Sequence, residues 1–357
     1  MSAALRYGIV GSGMMGIEHL LNLAHVPGAE VTAIADPHEG SRAWARSAAP
    51  DGVRFEAFAD HRALVDSGLC DAVVVATPNM THHDVLLDLL ATDLHLLVEK
   101  PLCTTVSDCL EVMEAAADRE AVVWVGLEYR YMPPVTRLID AVHGGEIGRL
   151  RMVAIREHRF PFLRKIDDWN RFNRNTGGTL VEKCCHFFDL MNHIVGARPV
   201  RVMASGAQDV NHLDEVYDGE VPDIIDNALV IVEYPSGVRA SLDLCMFAEG
   251  STNAEELGVV GDLGKAEAML PSKKFRVGRR KDGREGVTSQ VVTDDRVRWE
   301  GFHHGSSYLE HLDFLAACRS GTAPAVSLAD GLWSVAVGVA AQRSIAERRV
   351  VELREVF

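Results

Sequence analysis

The first third of the chain alternates short apolar runs with stretches in which apolar residues recur at helical spacing. The runs are rich in Val, Ile and Ala and end at Gly, Asp or Pro, which is typical of buried strands. Predicted strands are Leu5–Val10, Val31–Ala35, Ala72–Ala76, His95–Val98 and Val122–Val125, and predicted helices are Met15–His25, Glu39–Ala49, His82–Ala91 and Val106–Ala117. Because this alternation requires crossover connections, it predicts an α/β domain with a doubly wound parallel sheet.

The pattern changes after Gly126, where strands become grouped apart from helices. Predicted strands are Leu150–His158, Val200–Ser205, Ala228–Tyr234, Val238–Cys245, shorter runs within 256–297, and an edge strand at Val350–Leu353. Predicted helices are Val135–His143, Thr179–Val195, Ser307–Arg319 and Leu328–Glu347. Such grouping indicates an α+β domain with a large, mostly antiparallel sheet. We expect two domains, residues 1–128 and 129–357.

Composition excludes several classes of protein. The 357 residues include 36 Lys and Arg against 51 Asp and Glu, a formal net charge of −15. A chain this acidic is unsuited to nucleic acid or to anionic membrane surfaces, which need clustered cations. It contains no apolar run of the roughly eighteen residues that span a bilayer. The seven cysteines form no CxxC pair and the chain enters its first strand directly, so we expect a reducing, cytoplasmic location.

A glycine-rich loop follows the first predicted strand. Its sequence, Gly11-Ser12-Gly13-Met14-Met15-Gly16, fits G-x-G-x-x-G and opens a helix, the context in which the motif indicates a dinucleotide site. The glycines permit a tight turn, a close approach of the pyrophosphate and close helix packing. A glycine turn that binds no ligand is the alternative interpretation.

An acidic residue stands where a dinucleotide site needs one. Asp36 ends the second apolar run, twenty residues after Gly16, the expected place for a carboxylate on the adenine ribose. Such a carboxylate repels a 2′-phosphate and favours NAD, although Arg42 nearby leaves NADP possible. A helix N-cap is the alternative role for Asp36.

Further polar residues end the later strands of the predicted parallel sheet. Lys100 follows the strand His95–Val98 and precedes Pro101, which disfavours a helical backbone at Lys100. Ligands lie beyond the carboxyl ends of such strands, so this lysine is a candidate for the substrate hydroxyl, with an ion pair to Glu99 as the alternative. Thr77, Pro78 and Asn79 end the preceding strand at the same edge. His82 and His83 begin the next helix, where we expect capping or solvent-facing roles.

A polar stripe is predicted on one helix of the second domain. Glu182 and His186 are four residues apart after Gly177-Gly178, and Asp189 and His193 continue the stripe. The spacing suits a carboxylate that orients an imidazole general base, whereas Asp189 and His193 are expected to be structural. Neighbouring Cys184 and Cys185 cannot share a helix face with His186, so no metal site is expected.

These motifs together resemble the Gfo/Idh/MocA family of oxidoreductases. The residues that carry the resemblance are the loop Gly11–Gly16, Thr77-Pro78-Asn79, Glu99-Lys100-Pro101, Gly144 to Gly148, and the Gly-Gly helix with His186 and Asp189. The resemblance spans essentially the whole chain. It implies a Rossmann domain and a second domain whose open sheet often forms a homo-oligomer interface.

The resemblance also implies a reaction and its residues. The family moves a hydride between NAD(P) and a carbinol carbon, usually of a sugar, inositol or related polyol. Its catalytic lysine and histidine match Lys100 and His186, and Glu99 belongs to the cofactor motif. Glu182 replaces the family's usual aspartate, and Cys184 and Lys183 are further departures that make the substrate uncertain. Weaker substrate candidates are Arg130, His158, Lys165 and Trp169.

Three other functions are compatible with this sequence. One is a glycosidase that uses NAD for transient oxidation. Another is a reductase of a non-sugar substrate such as an imine, a bilin or a dihydrodiol. The third is a non-catalytic nicotinamide sensor, against which the presence of Lys100, His186 and the carboxylate of Glu182 argues. We expect a polyol or sugar dehydrogenase.

Overall fold

The structure, a computed structural model, describes residues 3–357. Its internal contacts divide the chain into two compact units. The first contains the chain up to Cys103, Ser107–Tyr131 and Asp295–Leu332, and the second contains Thr104–Val106, Met132–Asp294 and Trp333–Phe357. Residues 295–332 therefore pack with the first unit, although they follow most of the second in sequence.

The first unit contains the doubly wound parallel sheet that the sequence pattern predicts. Its strands are β1 (Leu5–Val10), β2 (Ala29–Ala35), β3 (Glu56–Phe58), β4 (Ala72–Val75), β5 (His95–Glu99) and β6 (Val123–Gly126). They pair in the order β3-β2-β1-β4-β5-β6, and every pair is parallel. The helices are α1 (Met14–Leu23), α2 (Glu39–Ala48), α3 (His61–Asp66), α4 (His82–Leu90) and α5 (Val106–Ala115). The short β3 and α3 are additions to the prediction.

The strand order of this sheet determines where a ligand site forms. Consecutive connections run outward in opposite directions from β1 and β4, so these two neighbours define a topological switch point. The loops after their carboxyl ends diverge and leave a crevice, the usual ligand site of an open parallel sheet. All four residues of β4 are buried, as expected of a central strand covered on both faces.

The second unit is built on a nine-stranded sheet. Its strands are β7 (Leu150–His158), β8 (Arg201–Ala207), β9 (Asn227–Glu233), β10 (Arg239–Cys245), β11 (Glu255–Gly261), β12 (Gly264–Leu270), β13 (Lys274–Arg279), β14 (Thr288–Val291) and β15 (Val351–Glu352). The order is β14-β13-β12-β11-β7-β10-β9-β8-β15, in which only the β7–β10 pair is parallel. The predicted mostly antiparallel sheet is confirmed, with β15 as its edge strand.

Helices complete both units. The second unit contains α6 (Pro133–His143), α7 (Asn173–Thr176), α8 (Thr179–Glu182) and α9 (Cys185–Val195), followed along the chain by α10 (Ser306–Ser320) and α11 (Leu328–Glu347). Alternate residues along β7, β9 and β10 are buried, which gives the sheet one covered face. Its other face, called the uncovered face below, exposes Met152, Met203, Leu229, Ile231 and Val260.

No helix within residues 3–357 combines the length and apolar character that a bilayer crossing requires.

One predicted element is wrong in form. The sequence pattern predicts a single helix over Thr179–Val195, but the structure has two helices separated at Lys183 and Cys184. The break coincides with a buried ion pair of Lys183. A periodicity argument cannot detect such a break, because the apolar residues continue at helical spacing through it.

Candidate active site

The glycine-rich loop has the geometry of a dinucleotide cradle. Gly13 is the N-cap of α1, which begins at Met14. A Cβ on Gly16 would lie 1.9 Å from the Gly11 carbonyl oxygen, and one on Gly11 would lie 2.5 Å from the Ala76 carbonyl oxygen. A Cβ on Gly13 would meet nothing within 4 Å. Gly11 and Gly16 are therefore required for internal packing, whereas Gly13 leaves room for a ligand.

Asp36 connects this loop to the end of β2. Its Oδ2 accepts hydrogen bonds from the Ser12 backbone N–H (2.8 Å) and the Ser12 hydroxyl (3.2 Å), and its Oδ1 accepts one from the His38 N–H (2.9 Å). The N-cap of α2 is His38, so Asp36 does not cap that helix. The carboxylate thus lies beside the phosphate-binding loop, where a ribose hydroxyl would donate to it. The Arg42 guanidinium donates to the Pro37 carbonyl oxygen (3.0 Å).

The segment after β4 supplies a polar group without a partner. Asn79 is buried, and its Nδ2 has no hydrogen-bond partner among residues 3–357. Thr77 and Pro78 are half-buried beside it, and the Thr81 hydroxyl donates to Thr77 Oγ1 (2.9 Å). Since a buried donor without an acceptor is costly, the orphaned Asn79 amide indicates a place where a ligand accepts a hydrogen bond.

His82 corrects the expectation of a capping or solvent-facing histidine. It is fully buried, and its ring nitrogens lie 2.8 Å from the Pro101 carbonyl oxygen and 3.0 Å from the Thr77 carbonyl oxygen. Burial lowers the pKa of His82 despite these two acceptors. His82 therefore ties the segment after β4 to the segment after β5.

Lys100 follows β5 and is half-buried, with its backbone N–H donating to Glu99 Oε2 (3.1 Å). Glu99 is buried, and its Oε1 lies 2.9 Å from His19 Nε2. Burial opposes ionisation of Glu99, but the His19 hydrogen bond and the attraction of Lys100 and His303 outweigh it and hold the pKa of Glu99 below its usual range. The motif lysine thus stands beside a buried carboxylate.

The residues of the first unit fit NAD. One edge of the sheet supplies what the cofactor needs. There is open space at Gly13, a hydrogen-bond donor in the unpaired amide of Asn79 and an acceptor in the Asp36 carboxylate. Within residues 3–357, no group of three or more His, Cys, Asp and Glu side chains is arranged to hold a metal ion.

In the second unit a double-glycine turn leads into α8. Gly177 and Gly178 both have positive φ, 77° and 87°. A Cβ on Gly178 would lie 1.7 Å from Gln342 Oε1, and the Gln342 amide donates to the Gly177 carbonyl oxygen. Only glycine fits this turn, which fixes the start of the helix that bears Glu182.

The break between α8 and α9 carries both candidate catalytic residues of this unit. Glu182 ends α8 and His186 lies in the first turn of α9, and both are buried. The flanking Cys184, Cys185, Phe187 and Phe188 are fully buried as well. Because the helix is interrupted, the four-residue spacing no longer by itself puts Glu182 and His186 on one helical face.

Lys183 at the break is paired on the covered face of the sheet. Its Nζ lies 3.0 Å from Glu157 Oε1, and Arg159 Nη1 lies 3.5 Å from the same oxygen. Glu255 is the register partner of Glu157 on the neighbouring strand. Burial and repulsion from Glu157 raise the pKa of Glu255 to about 7. Burial also lowers the pKa of Lys183, against the opposing attraction of Glu157.

The four weaker substrate candidates have different surroundings. Arg130 is buried in the first unit, with Nη1 donating to the Ala325 carbonyl oxygen (3.0 Å) and Nη2 lying 3.3 Å from Asp330 Oδ1. His158 lies on the uncovered face of the sheet, with its Nε2 3.2 Å from Asp243 Oδ1. Lys165 and Trp169 are half-buried in the segment before α7. Only the latter two lie in the segment that leads to α8.

Sequence reasoning missed His19, His311 and Glu157, and it assigned His82 a different role. His19 and His311 are 292 positions apart in the chain yet lie 2.9 Å apart, between His19 Nδ1 and His311 Nε2. No local pattern signals such a pair. The only sequence signal was the apolar context of each, which is unusual for a histidine.

Comparison with known proteins agrees with this structure. Residues 5–127 match the family model described as oxidoreductase family, NAD-binding Rossmann fold, and residues 139–353 match the C-terminal alpha/beta domain of the same family. A myo-inositol 2-dehydrogenase of Thermotoga maritima is 28% identical over 99% of this chain and 100% of its own length. A scyllo-inositol 2-dehydrogenase (NAD(+)) of Bacillus subtilis is 25% identical over 99% of this chain and 97% of its own.

Solved structures show the same fold. Levoglucosan dehydrogenase in complex with NADH and levoglucosan aligns with a TM-score of 0.86, at 22% identity, over 98% of this chain and 99% of its own. The two family models together cover most of the sequence and correspond to the parallel-sheet unit and the nine-stranded unit. The chain therefore belongs to the Gfo/Idh/MocA family of NAD-binding oxidoreductases.

Proposed function

We propose that this protein is an NAD-dependent dehydrogenase that acts on a hydroxyl-bearing carbon of a cyclitol, sugar or related polyol. One observation carries the proposal: Lys100 stands at the carboxyl end of β5, on the sheet edge that also carries Gly11–Gly16 and Thr77–Asn79. Full-length similarity to two inositol 2-dehydrogenases supports this class of substrate. The net charge of −15 favours an uncharged substrate over a phosphorylated one.

The chain's own residues bind, orient and exchange protons. Bound NAD would supply the hydride acceptor for the carbinol carbon. The Gly13 backbone and the Asp36 carboxylate would hold its pyrophosphate and ribose hydroxyls, and the Asn79 amide would donate a hydrogen bond to it. Lys100, as an ammonium, donates a hydrogen bond to the reacting hydroxyl and stabilises the negative charge that develops on its oxygen. His186 takes the hydroxyl proton, and Glu182 orients its ring.

The test is a panel of inositols, aldoses and anhydrosugars, each offered with NAD and with NADP. The expected result is formation of reduced nicotinamide with at least one polyol, preferentially with NAD. Lys100→Met and His186→Asn should each lower kcat by about 100-fold or more while leaving NAD affinity within a few-fold of wild type. Lys265→Met, an exposed lysine on β12, is the matched control and should keep full activity.

Each contrary outcome points to a different function. Release of sugar without net reduced nicotinamide would mean glycosidase chemistry. Turnover only of imines, bilins or dihydrodiols with NADPH would mean a reductase of another substrate. Binding of NAD with no turnover of any compound, and no effect of Lys100→Met, would mean a sensor.

We also propose a homo-oligomer that buries the uncovered face, in a reducing cytoplasm. Met203 and Ile231 are register partners on β8 and β9, and Met152 and Val260 are partners on β7 and β11. These exposed apolar pairs, together with the resemblance, support an interface there. Within residues 3–357, none of the seven cysteines forms a disulfide bond, as expected in a reducing compartment. Light scattering should give a multimer, and Ile231→Arg should lower its mass; a monomeric wild type would contradict the interface.

A further inference from the structure

A chain of buried hydrogen bonds leads from α10 to the backbone of Lys100. The Lys100 N–H donates to Glu99 Oε2 (3.1 Å), and Glu99 Oε1 lies 2.9 Å from His19 Nε2. His19 Nδ1 lies 2.9 Å from His311 Nε2. Glu99, His19 and His311 are 5%, 1% and 0% exposed, so water does not compete for these bonds. Three elements of the first unit, β5, α1 and α10, thus meet behind one lysine.

The protons along this chain have one favourable arrangement. Burial lowers the pKa of His311 well below its usual value, so His311 is neutral, and its Nδ1 is buried without a hydrogen-bond partner. If Nε2 of His311 carries the proton, the orphaned atom is only an acceptor, which costs less than an orphaned N–H. His311 then donates to His19 Nδ1, and His19 donates through Nε2 to Glu99. His311 thereby fixes the tautomer of His19.

We propose that His19, oriented by His311, is a positioning residue that holds Glu99 as a hydrogen-bonded carboxylate behind Lys100 and so keeps Lys100 in its ammonium form. The inference rests on the proposed function for the use of that ammonium, but its geometry does not. Glu99 precedes Lys100 in the chain and its Oε2 accepts the Lys100 backbone N–H (3.1 Å), so the carboxylate is held next to this lysine and its negative charge favours the ammonium form. Removing the His19 donor leaves a buried carboxylate with one fewer partner, and burial then drives it toward the neutral acid.

Other ionisable groups around these hydrogen bonds do not replace the Glu99 carboxylate. Burial and repulsion from Glu128 raise the pKa of Glu310 well above its usual value, which favours its neutral form, and Glu310 Oε1 accepts from Trp124 Nε1 (3.0 Å). Glu128 lies 3.5 Å from His303, measured between Oε1 and Nδ1. From β1, Tyr7 presents its ring edge-on to His311 and has a pKa raised by burial, so it too is uncharged.

The first experiment titrates Lys100 without turnover. The chain has only seven lysines, so trace acetylation at a series of pH values, read by peptide mass spectrometry, resolves Lys100 from an exposed reference, Lys265. In His19→Leu and in Glu99→Gln, the midpoint of Lys100 labelling should fall by about one pH unit or more. In His19→Gln, whose amide can still donate to Glu99, it should stay within a few tenths of a unit of wild type. Lys265 should not move in any variant.

A second experiment uses the pH profile of the reaction. The alkaline limb of kcat in His19→Leu should shift downward by the same amount as the labelling midpoint, while the dissociation constant for NAD changes by less than about threefold. Loss of stability with both profiles unmoved would overturn the proposal and make His19 merely structural. Should His19→Leu fail to fold, His311→Phe removes the donor to His19 and carries the same expectations. Undiminished turnover in Lys100→Met would overturn the catalytic role of Lys100, while the labelling curves would still decide the role of His19.

Discussion

Lys183 Nζ lies 3.0 Å from Glu157 Oε1, and neither side chain is more than 5% exposed. The pair connects the break between α8 and α9 to the covered face of the nine-stranded sheet. Breaking a buried pair by removing one partner leaves an uncompensated charge, which is more costly than removing both. The ion pair therefore holds the backbone at the α8–α9 break, which lies between Glu182 and His186.

Lys183→Met should destabilise the protein by about 3–5 kcal/mol, measured by urea unfolding at neutral pH, because Glu157 keeps a charge without its nearest cation. Lys183→Met combined with Glu157→Leu should recover part of that loss. Lys265→Met removes an exposed pair with Glu267 (2.6 Å) and should cost less than about 1 kcal/mol. Equal losses in Lys183→Met and Lys265→Met would contradict the assigned role of the buried pair.

Stability should fall between weakly acidic and weakly alkaline pH because of Glu255. Its folded-state pKa is raised to about 7 from an ordinary 4.5, so its contribution is complete below pH 4.5 and disappears as the pH rises through 7. Between pH 5 and 8, Glu255→Gln should gain up to roughly 3 kcal/mol of unfolding free energy relative to wild type. Glu256→Gln, on the uncovered face beside Arg156 (2.7 Å), is the neighbouring control and should gain little. Parallel pH curves for wild type and Glu255→Gln would rule out this titration.

Local sequence patterns were sufficient to predict the fold and the position in the sheet of those candidate residues that directly follow a strand. The G-x-G-x-x-G loop, Asp36 and Lys100 all follow predicted strands, and the structure places them after β1, β2 and β5. These positions are fixed by the sheet itself, since the carboxyl ends of parallel strands share one edge. The family models confirm the fold class.

The features that sequence missed are long-range or depend on side-chain charge. The α8–α9 break coincides with the buried ion pair of Lys183, whose partner Glu157 lies on β7, and hydrophobic periodicity cannot show such a pairing. His311 comes from α10, which packs with the parallel-sheet unit although its sequence follows the nine-stranded one. Periodicity assigns each residue to an element but not to its distant partner.

The three glycines of the loop should separate into two classes of variant. Gly13→Ala should leave the melting temperature of the cofactor-free protein unchanged, because its Cβ meets nothing within 4 Å, yet weaken NAD binding by about tenfold or more. Gly16→Ala should lower both the melting temperature and the affinity for NAD, because its Cβ would lie 1.9 Å from the Gly11 carbonyl oxygen. Calorimetric titration measures the affinity for NAD, and thermal unfolding measures the melting temperature. Gly40→Ala on α2 is the control, because a Cβ on Gly40 also meets nothing within 4 Å. Normal NAD affinity in Gly13→Ala would exclude the pyrophosphate from that position.

His82→Ala should destabilise the protein by about 2–3 kcal/mol, since it removes the buried ring that lies between the Thr77 and Pro101 carbonyl oxygens, one of which accepts from the single N–H of the neutral imidazole. It should also raise the KM for NAD, because the two segments it ties flank the cofactor edge of the sheet. His83→Ala removes a neighbouring ring that contacts Asp84 and Glu111 at the surface and should cost less than about 1 kcal/mol. Similar losses in both variants would mean that the His82 bridge is not what holds these segments.

Asp36→Asn should relax the preference for NAD over NADP. The substitution keeps the shape of the side chain but removes a charge that would repel a 2′-phosphate, so the ratio of kcat/KM for NADP to that for NAD should rise by about tenfold or more. Because Asp36 also accepts from Ser12 (2.8 Å), a modest fall in melting temperature should accompany the change. Glu39→Gln, an acidic residue in the first turn of α2, tests whether any lost negative charge nearby has the same effect. If the NADP-to-NAD ratio of kcat/KM rises equally in Asp36→Asn and Glu39→Gln, the preference for NAD comes from the negative charge of the whole surface rather than from Asp36. If the ratio is unchanged in both variants, the adenine ribose does not bind beside Asp36.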